Sequence, residues 1–196
     1  MATKLLPLAD ATVLAASLAA LAHAEPAKNI VLVHGAFADG AGWRGVYDEL
    51  SARGHKVSIV QNPLTSFADD VAATRRVLDR QQGQTILVGH SYGGSVITEA
   101  GVDPKVVGFV YVAAFAPEVG QSNPDQYKEV PPPPNFVPEV QVDGFAYLNG
   151  DKFHAGFVDD PRAAGTAFLR HCQVPTAMVA WRAQSDRRGM ATEPQL

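Results

Sequence analysis

Thr85-Ile86-Leu87-Val88-Gly89-His90-Ser91-Tyr92-Gly93-Gly94-Ser95-Val96-Ile97 is the stretch on which the fold turns. From Gln84 to Gly89 it is a short apolar run, which reads as a strand buried on both faces. From about Gly94 to Ala100 it reads as helix. Between them stands Gly89-x-Ser91-x-Gly93, so the serine sits on a sharp strand-to-helix turn. Side chains two residues to either side would collide in such a turn, and glycine at 89 and 93 meets that demand. The turn lifts the hydroxyl above the sheet, and the start of the helix places the Tyr92 N–H where a developing oxyanion is stabilised. A lone G-x-S-x-G is a weak signal. One set between a buried strand and a helix is much stronger.

Upstream, Asn29-Ile30-Val31-Leu32-Val33 is another buried strand, followed by His34-Gly35-Ala36-Phe37. Strand ends in one parallel sheet face the same edge, so this loop converges with Ser91. The backbone N–H of Ala36 or Phe37 is then the second oxyanion donor. Trp43, Val46, Tyr47 and Leu50 recur at helical spacing until Gly54. Lys56 to Val60 is a strand ended by Asn62-Pro63. Ser66 with Asp69 resembles a capping box, and Phe67, Val71, Thr74, Val77 and Leu78 mark one face of the helix it opens. Val106 to Ala113 is a fourth strand. This alternation is that of an α/β fold, a mostly parallel, doubly wound sheet with helices on both faces.

After Pro117 the pattern breaks. Pro131 to Pro134 can be neither helix nor central strand and reads as loop or polyproline II. Asp143 to Asp160 and Pro161 to His171 look like short helical or irregular pieces, so residues from about 117 to 173 read as a lid-like insertion. Ala177 to Trp181, introduced by Pro175, reads as a fifth strand returning to the sheet.

With 196 residues, one domain is the default. The formal charge is −4 and no run of Lys or Arg tracks a phosphate backbone, which leaves nucleic-acid binding without electrostatic support. Residues 1–24 stand apart: Lys4, a small apolar run from Ala11 to Leu21, then Ala22-His23-Ala24. They read as a signal peptide cleaved after about Ala24, giving a secreted or periplasmic domain of residues 25–196. An amphipathic N-terminal helix is the alternative. The apolar run is too short to span a bilayer stably. Cys172 is the only cysteine, reads as a buried inert thiol, and can form no internal disulfide. No Cys/His spacing suits zinc, and there is no G-x-x-x-x-G-K-[ST] loop for nucleotide phosphates.

The runs VLVHGAFADGAGW (Val31–Trp43), QNPLTSFADDVAATRRVL (Gln61–Leu78), ILVGHSYGGSVITEAG (Ile86–Gly101) and VVGFVYVAAFAPE (Val106–Glu118) closely resemble small bacterial α/β hydrolases. These are the esterase-like branch also related to plant hydroxynitrile lyases and methyl esterases. The resemblance covers roughly residues 28–190 and is most specific over the first ninety. It implies an α/β-hydrolase fold and hydrolysis of a small carboxylic ester through a Ser91 acyl-enzyme, with neither metal nor organic cofactor. It also implies a chain order of serine, then acid, then histidine. Val174 to Trp181 resembles the strand before the acid and Ser185-Asp186-Arg187 the turn beyond it, so Asp186 is the implied orienting carboxylate. Glu118, just past the fourth strand, is the alternative acid.

Beyond Asp186 the chain reads Arg-Arg-Gly-Met-Ala-Thr-Glu-Pro-Gln-Leu, with no histidine and no further strand. A truncated or frame-shifted end, lacking the last helix and strand, would explain this, and a strand meant to be internal would then become an edge. After Ser91 only His154 and His171 are available, both in the lid-like region, and a base must first be within reach. His90 should point away from the turn, and His34 reads as a structural partner of the oxyanion loop. The leading expectation is therefore a serine hydrolase by ancestry whose turnover lacks an identified base. A non-catalytic small-molecule binding protein on the same scaffold is the second, and a lyase, which needs the same base, is the third. Substrate identity and oligomeric state are not legible.

Overall fold

The computed structural model describes residues 26–158 and 163–186. Strands β1 (Asn29–Val33), β2 (Lys56–Val60), β3 (Thr85–His90) and β4 (Val106–Val112) form one parallel sheet in the order β2-β1-β3-β4. All five residues of β1 are buried, as a strand covered on both faces requires, and alternate residues feed two cores. Ile30 and Leu32 pack with Trp43 and Val88 on one side. Val31 and Val33 join Leu87, Val96 and Ile97 on the other. A 3-10 turn (Gly40–Trp43) and α1 (Arg44–Ala52) supply the first core, and α2 (Phe67–Asp79) and α3 (Tyr92–Ala100) the second.

The local signals act as their chemistry requires. Ser66 caps α2 by accepting the Asp69 N–H at 3.1 Å and donating to its carboxylate at 2.7 Å. Gly54 adopts φ +84°, the left-handed turn that ends the excursion after α1. The apolar spacing of α1 buries less than its pattern promises: no residue of α1 is fully buried, and Val46 and Tyr47 stay exposed.

Beyond β4 the order is α4 (Asn123–Tyr127), β5 (Pro138–Val140), β6 (Phe145–Leu148), α5 (Phe153–Phe157), α6 (Ala163–His171), β7 (Thr176–Ala177) and α7 (Met178–Trp181). Pro131 to Pro133 lie outside helix and strand. The Asp143–Asp160 region was expected without strands, yet β5 and β6 form an antiparallel hairpin around Asp143-Gly144. Gly144 takes φ +83° and the Asp143 carboxylate accepts the Phe145 N–H at 3.1 Å, which is how an Asp-Gly turn reverses a chain. Ala177 to Trp181 is not a fifth strand of the parallel sheet. Thr176 and Ala177 pair antiparallel with β6, and the chain then turns into α7. The burial explains it: Ala177, Ala180 and Trp181 are inside while Val179 is 70% exposed, a helical spacing rather than strand alternation. The segment read as a signal peptide, and the ten residues after Asp186, lie outside the described residues.

Candidate active site

Ser91 stands between β3 and α3 at φ 52°, ψ −124°, a region that residues bearing a Cβ avoid. The surroundings hold it there. Its N–H donates to the Val112 carbonyl at 3.4 Å, and its own carbonyl accepts the N–H groups of Gly94 (3.0 Å) and Phe115 (3.1 Å). The start of α3 is pressed so tightly against the strand ends that a Cβ on Gly93 would lie 2.5 Å from the Val33 carbonyl oxygen. One on Gly89 would lie 2.6 Å from the Gly93 oxygen. Only glycine fits at these two positions.

The loop after β1 meets this turn. A Cβ on Gly35 would come within 2.9 Å of the Ser91 Cβ. The loop is anchored by buried His34, whose Nδ1–H donates to the Gly35 carbonyl and whose Nε2 accepts the Asn62 N–H, both at 2.9 Å. Burial holds its pKa below the ordinary 6.5, so the ring is neutral, with both nitrogens committed. Phe37 is buried at φ 62° and donates its N–H to the Thr176 hydroxyl at 2.9 Å. The N–H groups of Ala36 and Tyr92 make no hydrogen bond among the described residues.

Ser91 and Phe37 line a cavity of about 660 Å³ walled by Phe115, Tyr127, the prolines 131–133, Phe136 and Trp181, with Arg182 exposed at its rim. A second, smaller cavity of about 270 Å³ holds His34, His90, Trp43 and Cys172 and does not include Ser91. His90 turns its ring edge-on to Trp43, and Cys172 is a half-buried free thiol. His154 and His171 are exposed and line neither cavity. Among the described residues no histidine is hydrogen-bonded to Ser91. Asp186 is exposed and engages through its N–H, which donates to the Glu99 carboxylate at 3.0 Å. Glu118 is exposed, with its N–H on the Gln121 side chain. Neither carboxylate lines the Ser91 cavity. Among the described residues, no group of three His, Cys, Asp or Glu is placed to hold a metal ion, and no helix is long and apolar enough to cross a membrane.

Sequence reasoning passed over Asp70. Fully buried in the first turn of α2, it accepts the Tyr92 hydroxyl at 2.6 Å and the Leu64 N–H at 2.8 Å. Burial pushes its carboxyl up from 3.8 to about 6, against the two hydrogen bonds that favour the anion. The same burial, and the neighbouring carboxylate, push the Tyr92 phenol up. A signal was present: Asp70 lies four residues before Thr74, on the helix face otherwise marked by apolar residues. Thr176 was passed over for want of any local pattern.

The carbendazim hydrolyzing esterase of Nocardioides sp. (strain SG-4G) is 36% identical over 109 residues, covering 48% of this chain and 45% of that protein. The pyrethroid hydrolase of Sphingobium wenxiniae is 37% identical over 101 residues, covering 44% of this chain and 35% of that protein. The matched part spans less than half the length of each relative. The crystal structure of a pyrethroid hydrolase from Sphingobium faniae JZ-2 superposes with a TM-score of 0.68 at 22% identity, over 82% of this chain and 72% of that one. That likeness speaks for the α/β-hydrolase fold. The profile described as the alpha/beta hydrolase family matches residues 30–194, which takes in the parallel sheet, the strained serine turn and the small antiparallel sheet together. The chain belongs to the alpha/beta hydrolase family.

Proposed function

We propose that this chain is the core of a carboxylic-ester hydrolase in which Ser91 is the nucleophile and the N–H groups of Ala36 and Tyr92 receive the oxyanion. The observation that carries this reading is the strained Ser91 turn, facing an apolar cavity, with the backbone N–H groups of Ala36 and Tyr92 making no hydrogen bond among the described residues. Strain of this kind costs about 1–3 kcal/mol and persists where surrounding structure over-determines it, typically at functional sites. With the Phe37 N–H engaged by Thr176, Ala36 is the donor from the first loop.

In this scheme the Ser91 oxygen attacks the ester carbonyl carbon, and the carbonyl oxygen takes the negative charge between the two N–H groups. Collapse expels the alcohol and leaves an acyl-serine, which water hydrolyses to the acid and free serine. Removal of the serine proton requires a base. Asp186 and Glu118 remain the candidates for orienting it, and both stand outside the cavity. A wall of aromatic and proline side chains, with the one charged residue Arg182 at the rim, favours a small apolar ester, and the relatives' names, an esterase and hydrolases, point the same way. The second reading, a binding protein on the same scaffold, is favoured by one observation: no histidine is bonded to Ser91 among the described residues.

The test is turnover of p-nitrophenyl esters of increasing acyl length by the parent chain and by Ser91→Ala. Hydrolysis lost in the variant is the expected result. Equal background rates in both, with ligand binding retained, would replace hydrolysis with binding.

A further inference from the structure

Two elements must agree in position for an oxyanion hole to work here: the turn at Ser91-Tyr92 and the loop at Ala36-Phe37. They belong to different strand ends, and among the described residues no hydrogen bond links them directly. One buried carboxylate lies in the chain of contacts that does. Asp70 Oδ2 accepts the phenol O–H of Tyr92, the residue whose N–H is the proposed oxyanion donor, and Asp70 Oδ1 accepts the Leu64 N–H. Leu64 is itself held at φ 57°, and its carbonyl accepts the Ala177 N–H at 2.9 Å. The residue before, Thr176, holds the Phe37 N–H at 2.9 Å. Asp70, Tyr92, Leu64 and Thr176 are all fully buried, so none of these bonds is exchanged with water and each broken one leaves a costly orphan.

We propose that Asp70 is a positioning residue that sets the two oxyanion donors against each other, through Tyr92 on one side and through Leu64, Ala177 and Thr176 on the other, a reading that rests on Ser91 being the nucleophile. A carboxylate suits this place because its two oxygens accept at once from two elements. It also sits in the first turn of α2, where the helix N-terminus favours negative charge. An asparagine keeps the shape but presents an N–H to the Tyr92 hydroxyl, so the buried phenol proton loses its acceptor and one arm of the clamp is weakened.

A tetrahedral adduct separates positioning from mere packing. Phenylboronic acid adds to a serine oxygen, with the serine proton released, and the resulting anionic, tetrahedral boronate places one of its hydroxyl oxygens where the ester oxyanion would stand. Benzyl alcohol fills the same cavity and forms no such oxygen. Dissociation constants for both are read from tryptophan fluorescence, since Trp181 lines the cavity, for the parent, Ser91→Ala, Asp70→Asn and Tyr92→Phe, with circular dichroism as the check on folding. The expected result is that Asp70→Asn weakens the boronic acid about tenfold, roughly the loss of one well-made hydrogen bond, and leaves benzyl alcohol within about twofold. Tyr92→Phe, which keeps the Asp70–Leu64 bond, should do the same and stands in if Asp70→Asn does not fold. Parent and Asp70→Asn binding both probes alike, or the variant losing both equally, would overturn the role of Asp70 while Ser91 stands. A boronic acid that binds parent and Ser91→Ala equally would remove the serine reading and this inference with it.

Discussion

Ser91 pays for its position in backbone energy, and the strain belongs to the residue rather than to its hydroxyl. At φ 52° the Cβ is the offending atom, so alanine inherits the penalty and glycine escapes it. Ser91→Gly is therefore expected to unfold at higher denaturant than Ser91→Ala, by about 1 kcal/mol once the extra freedom of glycine in the unfolded chain is offset. Urea unfolding of the two variants checks this. Equal midpoints would mean that the turn relaxes when the hydroxyl is lost.

At the scale of elements, β7 is two residues long, yet it joins three parts of the fold. Ala177 bonds Leu64, Thr176 bonds Phe37, and both pair with β6. Thr176→Val keeps the shape and removes the acceptor, leaving the Phe37 N–H buried without a partner. A loss of about 1–3 kcal/mol is expected, read as a lower Tm, and no loss would mean that the loop finds another acceptor. The four parallel strands and the α2 cap were legible because their signals are local: continuous apolar runs, a Ser-x-x-Asp box, glycines around a serine. The β5–β6 hairpin carries its own local signal, Asp143-Gly144, in a region that otherwise reads as short helical or irregular pieces. Met178 to Trp181 misled for a physical reason. A short apolar run can serve as strand or as one helical turn, and what decides is where Trp181 goes: it stacks on Tyr92 at 6.3 Å and meets Phe115 edge-on at 5.3 Å. Those are long-range contacts that no local window contains. The turn at Ser185-Asp186 therefore follows a helical turn, α7, rather than a strand of the parallel sheet.

Across the whole molecule, the described sheet ends at β4, where Val107, Val110 and Val112 are exposed, so the folded core carries an apolar edge. Its stability also answers to two buried titratable groups with opposite signs. Asp70 has its pKa raised from 3.8 to about 6. Its contribution is full below the unfolded value and is lost as pH rises through about 6, because the charged form must then be buried. His34 has its pKa lowered from 6.5. Its contribution is present above 6.5 and is lost as pH falls. Asp70→Asn isolates the first group. Between about pH 4 and about pH 7 the parent should lose roughly 3 kcal/mol relative to that variant, measured by urea unfolding across the range. A parent-to-variant difference independent of pH would place the Asp70 carboxyl at its ordinary value.

The hydrolase reading, and with it the positioning role of Asp70, depends on Ser91 being a nucleophile and not merely a strained turn residue. The deciding measurement is mass spectrometry of the chain after treatment with a fluorophosphonate, in which the serine oxygen displaces fluoride from phosphorus. The expected result is a single phosphonyl group on the peptide containing Ser91, absent from Ser91→Ala. An unlabelled parent, or a label on any other residue, would contradict it.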